Sequence, residues 1–170
     1  MAVVVYVWKK HGQFIGHVAL RIGAHYVSFW PADSAGKKDI LVKRSHAPAF
    51  IADYETDFIS EGEREPETVT LFHLNEIAMI EAHKELERQG IRYNLLNMNC
   101  SSFAAALLET GSGYKPSFLP RVQPREYIGN TKSGRKMAGS ITLTWGALHA
   151  WTPEQVLVYA HELLGRRSKQ

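Results

Sequence analysis

The sequence predicts an α+β domain, an antiparallel β-sheet from the N-terminal part packed against helices from the remainder. Three observations carry this. The first thirty residues alternate short apolar runs with glycine turns, and three later segments show helical periodicity opened by good N-caps. A content of 45% hydrophobic and 22% charged residues over 170 positions suits one ordinary core, so a single domain over residues 1–170 is expected.

Ala2–Trp8 is apolar on both faces, as a central strand is. Phe14–Ile22 and His25–Trp30 follow as strands, with Gly12, Gly16 and Gly23 as turn or bulge points, giving an antiparallel meander. Residues 31–48 are polar, and the acidic stretch after them runs to Pro66; together they read as a long irregular excursion. Thr68–Leu74 is alternating enough for a fourth strand. Asn75 caps a helix to Gln89, closed by Gly90, whose inner stripe is Met79, Ala82, His83 and Leu86. Asn99 caps the next, in which Cys100, Phe103, Ala104, Leu107 and Leu108 recur at helical spacing and Gly111 is the expected stop. Residues 112–138 hold three prolines and much of the basic charge, which predicts a loop; Ser140–Leu148 is a candidate last strand. Thr152-Pro153-Glu154-Gln155 is a capping box with proline at the first helical position, opening a helix with Val156, Tyr159, Ala160 and Leu163 on its inner stripe.

Several function classes are disfavoured at once. The longest apolar run, Ala2–Trp8, is far short of the roughly 20 residues that span a bilayer and lacks the marks of a Sec signal peptide, so no transmembrane segment or cleaved leader is expected. One cysteine, Cys100, leaves no internal disulfide and no zinc site built on two cysteines. His161-Glu162 begins like a metalloprotease helix, but Gly165 stands where the second ligand belongs, and Gly111-Ser112-Gly113 follows a helix instead of opening one as a phosphate loop does. No metal and no cofactor are therefore expected.

Charge divides the chain. Residues 1–114 carry 11 Lys/Arg against 14 Asp/Glu, and residues 115–170 carry 9 against 3. The acids gather at Asp53, Glu55, Asp57, Glu61, Glu63, Glu65 and Glu67; the bases gather at Lys115, Arg121, Arg125, Lys132, Arg135 and Lys136. The basic group would suit an anionic membrane or an acyl-donor headgroup. It has no nucleic-acid motif, so no nucleic-acid partner is expected.

Cys100 stands in the first turn of its helix, where the macrodipole and unpaired amides favour thiolate over thiol and where the same amides can serve a developing oxyanion. A base is then needed. Of eight histidines, His17 is the leading candidate because it lies on a strand within Gly16-His17-Val18-Ala19-Leu20, a rigid mount. His11, His25, His46, His73, His83 and His161 lie in loops, at a strand start, in the fourth strand or on helices and are weaker candidates.

Gly16-His17-Val18-Ala19-Leu20-Arg21-Ile22-Gly23, then Tyr26-Val27-Ser28-Phe29-Trp30-Pro31, then Tyr93-Asn94-Leu95-Leu96 and Asn99-Cys100-Ser101-Ser102-Phe103, resemble the circularly permuted papain-like (NlpC-type) cysteine enzymes, in which the histidine strand precedes the cysteine helix. The Gly-His and Tyr-x-Ser-x-Trp-Pro pair is similar to bacterial effector domains of that fold, including Rho-inactivation domains, IcsB-type fatty acyltransferases and papain-like type VI secretion effectors. The resemblance spans residues 14–110. It implies a permuted papain-like fold with Cys100 as nucleophile and His17 as base, forming a thioester acyl-enzyme resolved by water in a hydrolase or by an amine or hydroxyl in an acyltransferase. Lecithin:retinol acyltransferase-like members carry a second histidine on the next strand; twelve residues after His17 this chain has Phe29, so that triad is not expected. Effector-like members use a later acid, for which Asp57 is the first candidate and Asp53 the second, with Ser28 as a neutral alternative. The resemblance also implies a bacterial protein held in the cytoplasm until a specialised secretion system delivers it, a protein, peptidoglycan or lipid substrate, and possession of an immunity partner.

Overall fold

A computed structural model describes residues 2–12, 14–32, 49–95, 97–122 and 149–167. Strand β1 (Ala2–Trp8) pairs antiparallel with β2 (His17–Ile22) on one side and, across the sheet, with β5 (Glu67–Phe72) on the other. Strand β3 (His25–Pro31) pairs with β2, and a short β4 (Ala49–Ile51) extends this four-stranded antiparallel sheet at its edge, giving the order β4-β3-β2-β1-β5. The most apolar strand is β1, an interior one, whose Val3, Val5 and Val7 are buried while Ala2, Val4 and Tyr6 on its other face are half-buried.

Register divides the side chains between two faces. Val3, Val5 and Val7 stand beside Ile22, Leu20 and Val18, and beside Leu71 and Val69 on the other flank, so one face is a sheet of aliphatic side chains. Three helices bury it: α2 (Glu76–Arg88), α3 (Cys100–Ser112) and α4 (Pro153–Arg167). Val27 and Phe29 of β3 join this core, with Phe103, Leu107, Leu108, Val156, Tyr159 and Ala160 from the helices. The opposite face presents Tyr6, Trp8, His17, Ala19 and Ser28, and a short helix, α1 (Tyr54–Ser60), packs near β3.

Each helix starts where a side chain satisfies its first amides. Asn75 accepts from the Ala78 amide, Asn99 and Ser102 form a reciprocal box, and Thr152 and Gln155 exchange bonds ahead of Pro153. Helix α3 continues through Gly111 to Ser112 and ends at Gly113 in the left-handed conformation (φ 72°). Gly111 is therefore not a stop: a Cβ there would run into the Met79 sulfur, so it is the residue that lets α2 and α3 approach closely.

Two further expectations change. Strand β2 begins at His17, not at Phe14, which instead forms an isolated bridge with His11. The acidic stretch contains α1, opened by Asp53, whose carboxylate accepts from the Thr56 amide at 2.8 Å, with Glu55 and Asp57 in the first turn where the dipole favours anions. Seven residues are too few to show a periodic apolar stripe, so only the cap announces this helix. The candidate strand 140–148 lies outside the described residues. Among the described residues no helix is long and apolar enough to cross a membrane.

Candidate active site

Cys100 is the first residue of α3 and is buried. The preceding Asn99 fixes its position from three directions. Its Oδ1 accepts from the Ser102 amide at 2.8 Å, its Nδ2 donates to the Leu95 carbonyl at 2.8 Å, and Nδ2 also reaches the Trp151 carbonyl at 3.1 Å. The helix start is thus tied to the loop before it and to the segment leading into α4.

His17 opens β2 on the opposite side of that junction. Gly16 before it has φ 85°, and a Cβ on it would lie 2.5 Å from the Trp8 carbonyl oxygen, so only glycine lets the chain turn into β2 here. The imidazole is 1% exposed and lies on the Trp30 indole, with ring centroids 4.2 Å apart and planes 19° apart. Trp8, its register partner in β1, lies at 5.9 Å.

Behind the imidazole is one carboxylate. Asp57 of α1 is fully buried, and its Oδ1 accepts from Ser28 Oγ at 2.8 Å and from Trp30 Nε1 at 2.5 Å. Its Oδ2 accepts from the Tyr26 hydroxyl at 2.6 Å and lies 3.4 Å from His17 Nε2. Ser28 Oγ is also 2.8 Å from His17 Nε2. A hydroxyl has one proton, and Ser28 gives it to Asp57, so its oxygen accepts from His17 Nε2–H. The imidazole also hydrogen-bonds with the Cys100 side chain.

The electrostatics follow from this order. Burial alone would raise the Cys100 thiol, but the His17 charge and hydrogen bond, together with bonds from the Val18 backbone and Ser101, bring it below its usual value. Burial alone would lower His17; the Cys100 sulfur and Asp57 outweigh it and push the imidazole up to about 10. Asp57 is likewise held below the ordinary carboxylate range against its burial, by His17, Tyr26 and Trp30. All three shifts run the same way, toward thiolate on Cys100, imidazolium on His17 and carboxylate on Asp57, and the cysteine and histidine titrate as a coupled pair. Glu61, one turn after Asp57, is buried beside them; burial raises its carboxyl, and Arg64 binds it at 2.9 Å.

Of the residues singled out from sequence, Cys100, His17, Ser28 and Asp57 come together. Ser28 is not an alternative to Asp57: the two stand in series. Asp53 does not join them, because its exposed carboxylate is spent on the α1 cap. Phe29 points to the other face, stacked on Phe103 at 4.7 Å. Tyr26 and Trp30 were not anticipated as site residues; the signal that could have found them is the period of two that places 26, 28 and 30 on one face of β3. Of the basic group, Lys115 is exposed and pairs with Glu109 at 3.9 Å and Arg121 is exposed, while Arg125, Lys132, Arg135 and Lys136 lie outside the described residues, as does His46.

Among the described residues no group of three or more His, Cys, Asp or Glu side chains is arranged to hold a metal ion. Comparison of the chain with protein-family models, with curated proteins and with solved structures finds no match in any of the three.

Proposed function

We propose that this protein is a cysteine-dependent acyl-enzyme catalyst on a permuted papain-like fold, with Cys100 as nucleophile, His17 as acid and base, and Asp57 as the group that orients His17 through Ser28. The observation that carries the reading is the buried row Cys100, His17, Ser28 and Asp57, with the cysteine in the first turn of a helix. The Cys100 sulfur attacks a carbonyl carbon and the carbonyl π pair moves to oxygen. Asn99 already occupies the Ser102 and Phe103 amides, so the first-turn amides assigned to the developing oxyanion are those of Cys100 and Ser101. Collapse of the adduct breaks the bond to the leaving group, which takes the proton from His17 and leaves a thioester on Cys100. Neutral His17 then takes a proton from water, an amine or a hydroxyl, which attacks the thioester and returns the sulfur as thiolate. Water makes the protein an amidase, peptidase or thioesterase; an amine or lipid hydroxyl makes it an acyltransferase.

The same resemblance supports a bacterial effector toxin delivered by a specialised secretion system, of the type VI kind among others, acting on a protein, peptidoglycan or lipid and matched by an immunity protein. Lys115 and Arg121 suit an anionic membrane or acyl donor. A second reading, a non-catalytic binding module that keeps the fold, is favoured by the low exposure of Cys100, 6%.

Two measurements separate the readings. Ultraviolet thiolate absorbance is to be followed between about pH 5 and 8, alongside the iodoacetamide rate and with Cys100→Ala as blank. A thiolate already present near pH 6 is expected, and a thiol that titrates near the ordinary value of about 8.5 would sink the enzyme reading. Intact mass after incubation with acyl-CoA and, separately, with peptidoglycan fragments then reports which acyl donor leaves an adduct on Cys100.

A further inference from the structure

Strand β3 presents Tyr26, Ser28 and Trp30 on one face, and all three donate to the same carboxylate. Ser28 and Trp30 share Oδ1, whereas Tyr26 donates to Oδ2, the oxygen 3.4 Å from His17 Nε2. The Tyr26 hydroxyl therefore competes with His17 for the charge on one atom. Its ring is held independently of this bond, 5.7 Å from Tyr6 and edge-on to Tyr54 at 6.0 Å. We propose that Tyr26 is a positioning residue for the site, setting how much of the Asp57 charge reaches the His17 imidazolium; the inference rests on the acyl-enzyme reading above.

The chemistry needs such a control. His17 must donate a proton to the leaving group, and a carboxylate pressed on it without competition makes it a poorer acid. Withdrawing part of the Oδ2 charge into a short hydrogen bond keeps the imidazolium acidic enough to act while Asp57 remains ionised. Tyr26 can only donate here, because burial and Asp57 hold its phenol above the ordinary range. Other charged or titratable groups around the pair are Cys100 from α3, Asp53 and Glu61 at the two ends of α1 with Arg64 on Glu61, and Tyr6 and Tyr54 beside the phenol.

The test is Tyr26→Phe, which keeps the ring and removes the hydroxyl, read by nitrogen chemical shifts of labelled His17 across pH together with Cys100 thiolate absorbance. Loss of the hydroxyl is expected to move the His17 deprotonation upward by about one pH unit and to slow acyl transfer about tenfold at unchanged KM. Fluorotyrosine placed at position 26, a stronger donor, is expected to move the same deprotonation downward. Unchanged His17 titration in both variants, with Cys100 still a thiolate near pH 6, would overturn the role of Tyr26 alone. Absence of that thiolate in the unsubstituted protein would overturn the acyl-enzyme reading on which it rests.

Discussion

The two faces of the sheet solve opposite problems with the same strands. Beneath α2, α3 and α4, the core that the strands supply, from Val3 to Leu71, is aliphatic and aromatic, and the gain is the ordinary one of removing apolar area from water. On the other face, His17 and Ser28 of the same strands and Asp57 of α1 are as deeply buried as the valines, yet each is polar or charged. Burying charge is unfavourable unless every partner is satisfied, and here a single carboxylate receives Tyr26, Ser28 and Trp30 as well as the His17 charge. The comparison teaches that β3 serves both faces through its pleat: Val27 and Phe29 belong to the core, and the residues between and beside them belong to the site.

Asp57→Asn should show the largest effect, because it removes the charge that His17 needs and presents an amide to donors that require an acceptor. Turnover is expected to fall about a thousandfold, and urea unfolding should report a loss of about 1–3 kcal/mol. Turnover within a few-fold of the parent protein would remove Asp57 from the site. Phe29→Ala tests the opposite face. It leaves a cavity beside Phe103 and Tyr93 and should cost about 3–5 kcal/mol of stability, while Cys100 thiolate absorbance near pH 6 stays unchanged. A thiolate lost with Phe29 would mean that the faces are not separable.

The smallest expected effect is on stability against pH. His17 is raised in the folded state, so its contribution is full below its unfolded value of about 6.5 and fades as pH rises through about 10. Cys100 is lowered, so its contribution is present above the unfolded thiol value of about 8.5 and is lost as pH falls through the folded one. Above about pH 8.5 the unfolded thiol has lost its proton while the folded imidazolium keeps its own up to about pH 10. Stability should therefore drop by about 1 kcal/mol from pH 8.5 to 9.5. Urea midpoints measured across this range check it, and an undiminished midpoint at pH 9.5 would show that His17 is not held as imidazolium.

Local chemistry made much of the molecule legible in the sequence. Among the described residues, three of the four helices are announced by Asn75, Asn99 and Thr152, and the strands around β1 by apolar runs between glycines, because caps and pleats act over a few neighbouring residues. The first-turn position of Cys100 is of this kind, and so is the mounting of His17 on a strand. Gly111 shows the limit: its role depends on Met79 of another helix, which no local pattern reveals.

Tertiary structure alone chose among the acids. Asp53 and Asp57 lie four residues apart in one acidic stretch, and sequence treats them almost alike. Once α1 forms, the first caps the helix and faces water, while the second, one turn on, points at the face of β3 that carries Tyr26, Ser28 and Trp30. The same packing put Ser28 between His17 and Asp57 instead of in competition with Asp57. Sequence by itself determined which residue types were available and which helix or strand would carry them. Which of them meet depends on sheet register and on where a seven-residue helix docks, since groups separated by tens of residues come within hydrogen-bonding distance only through long-range packing.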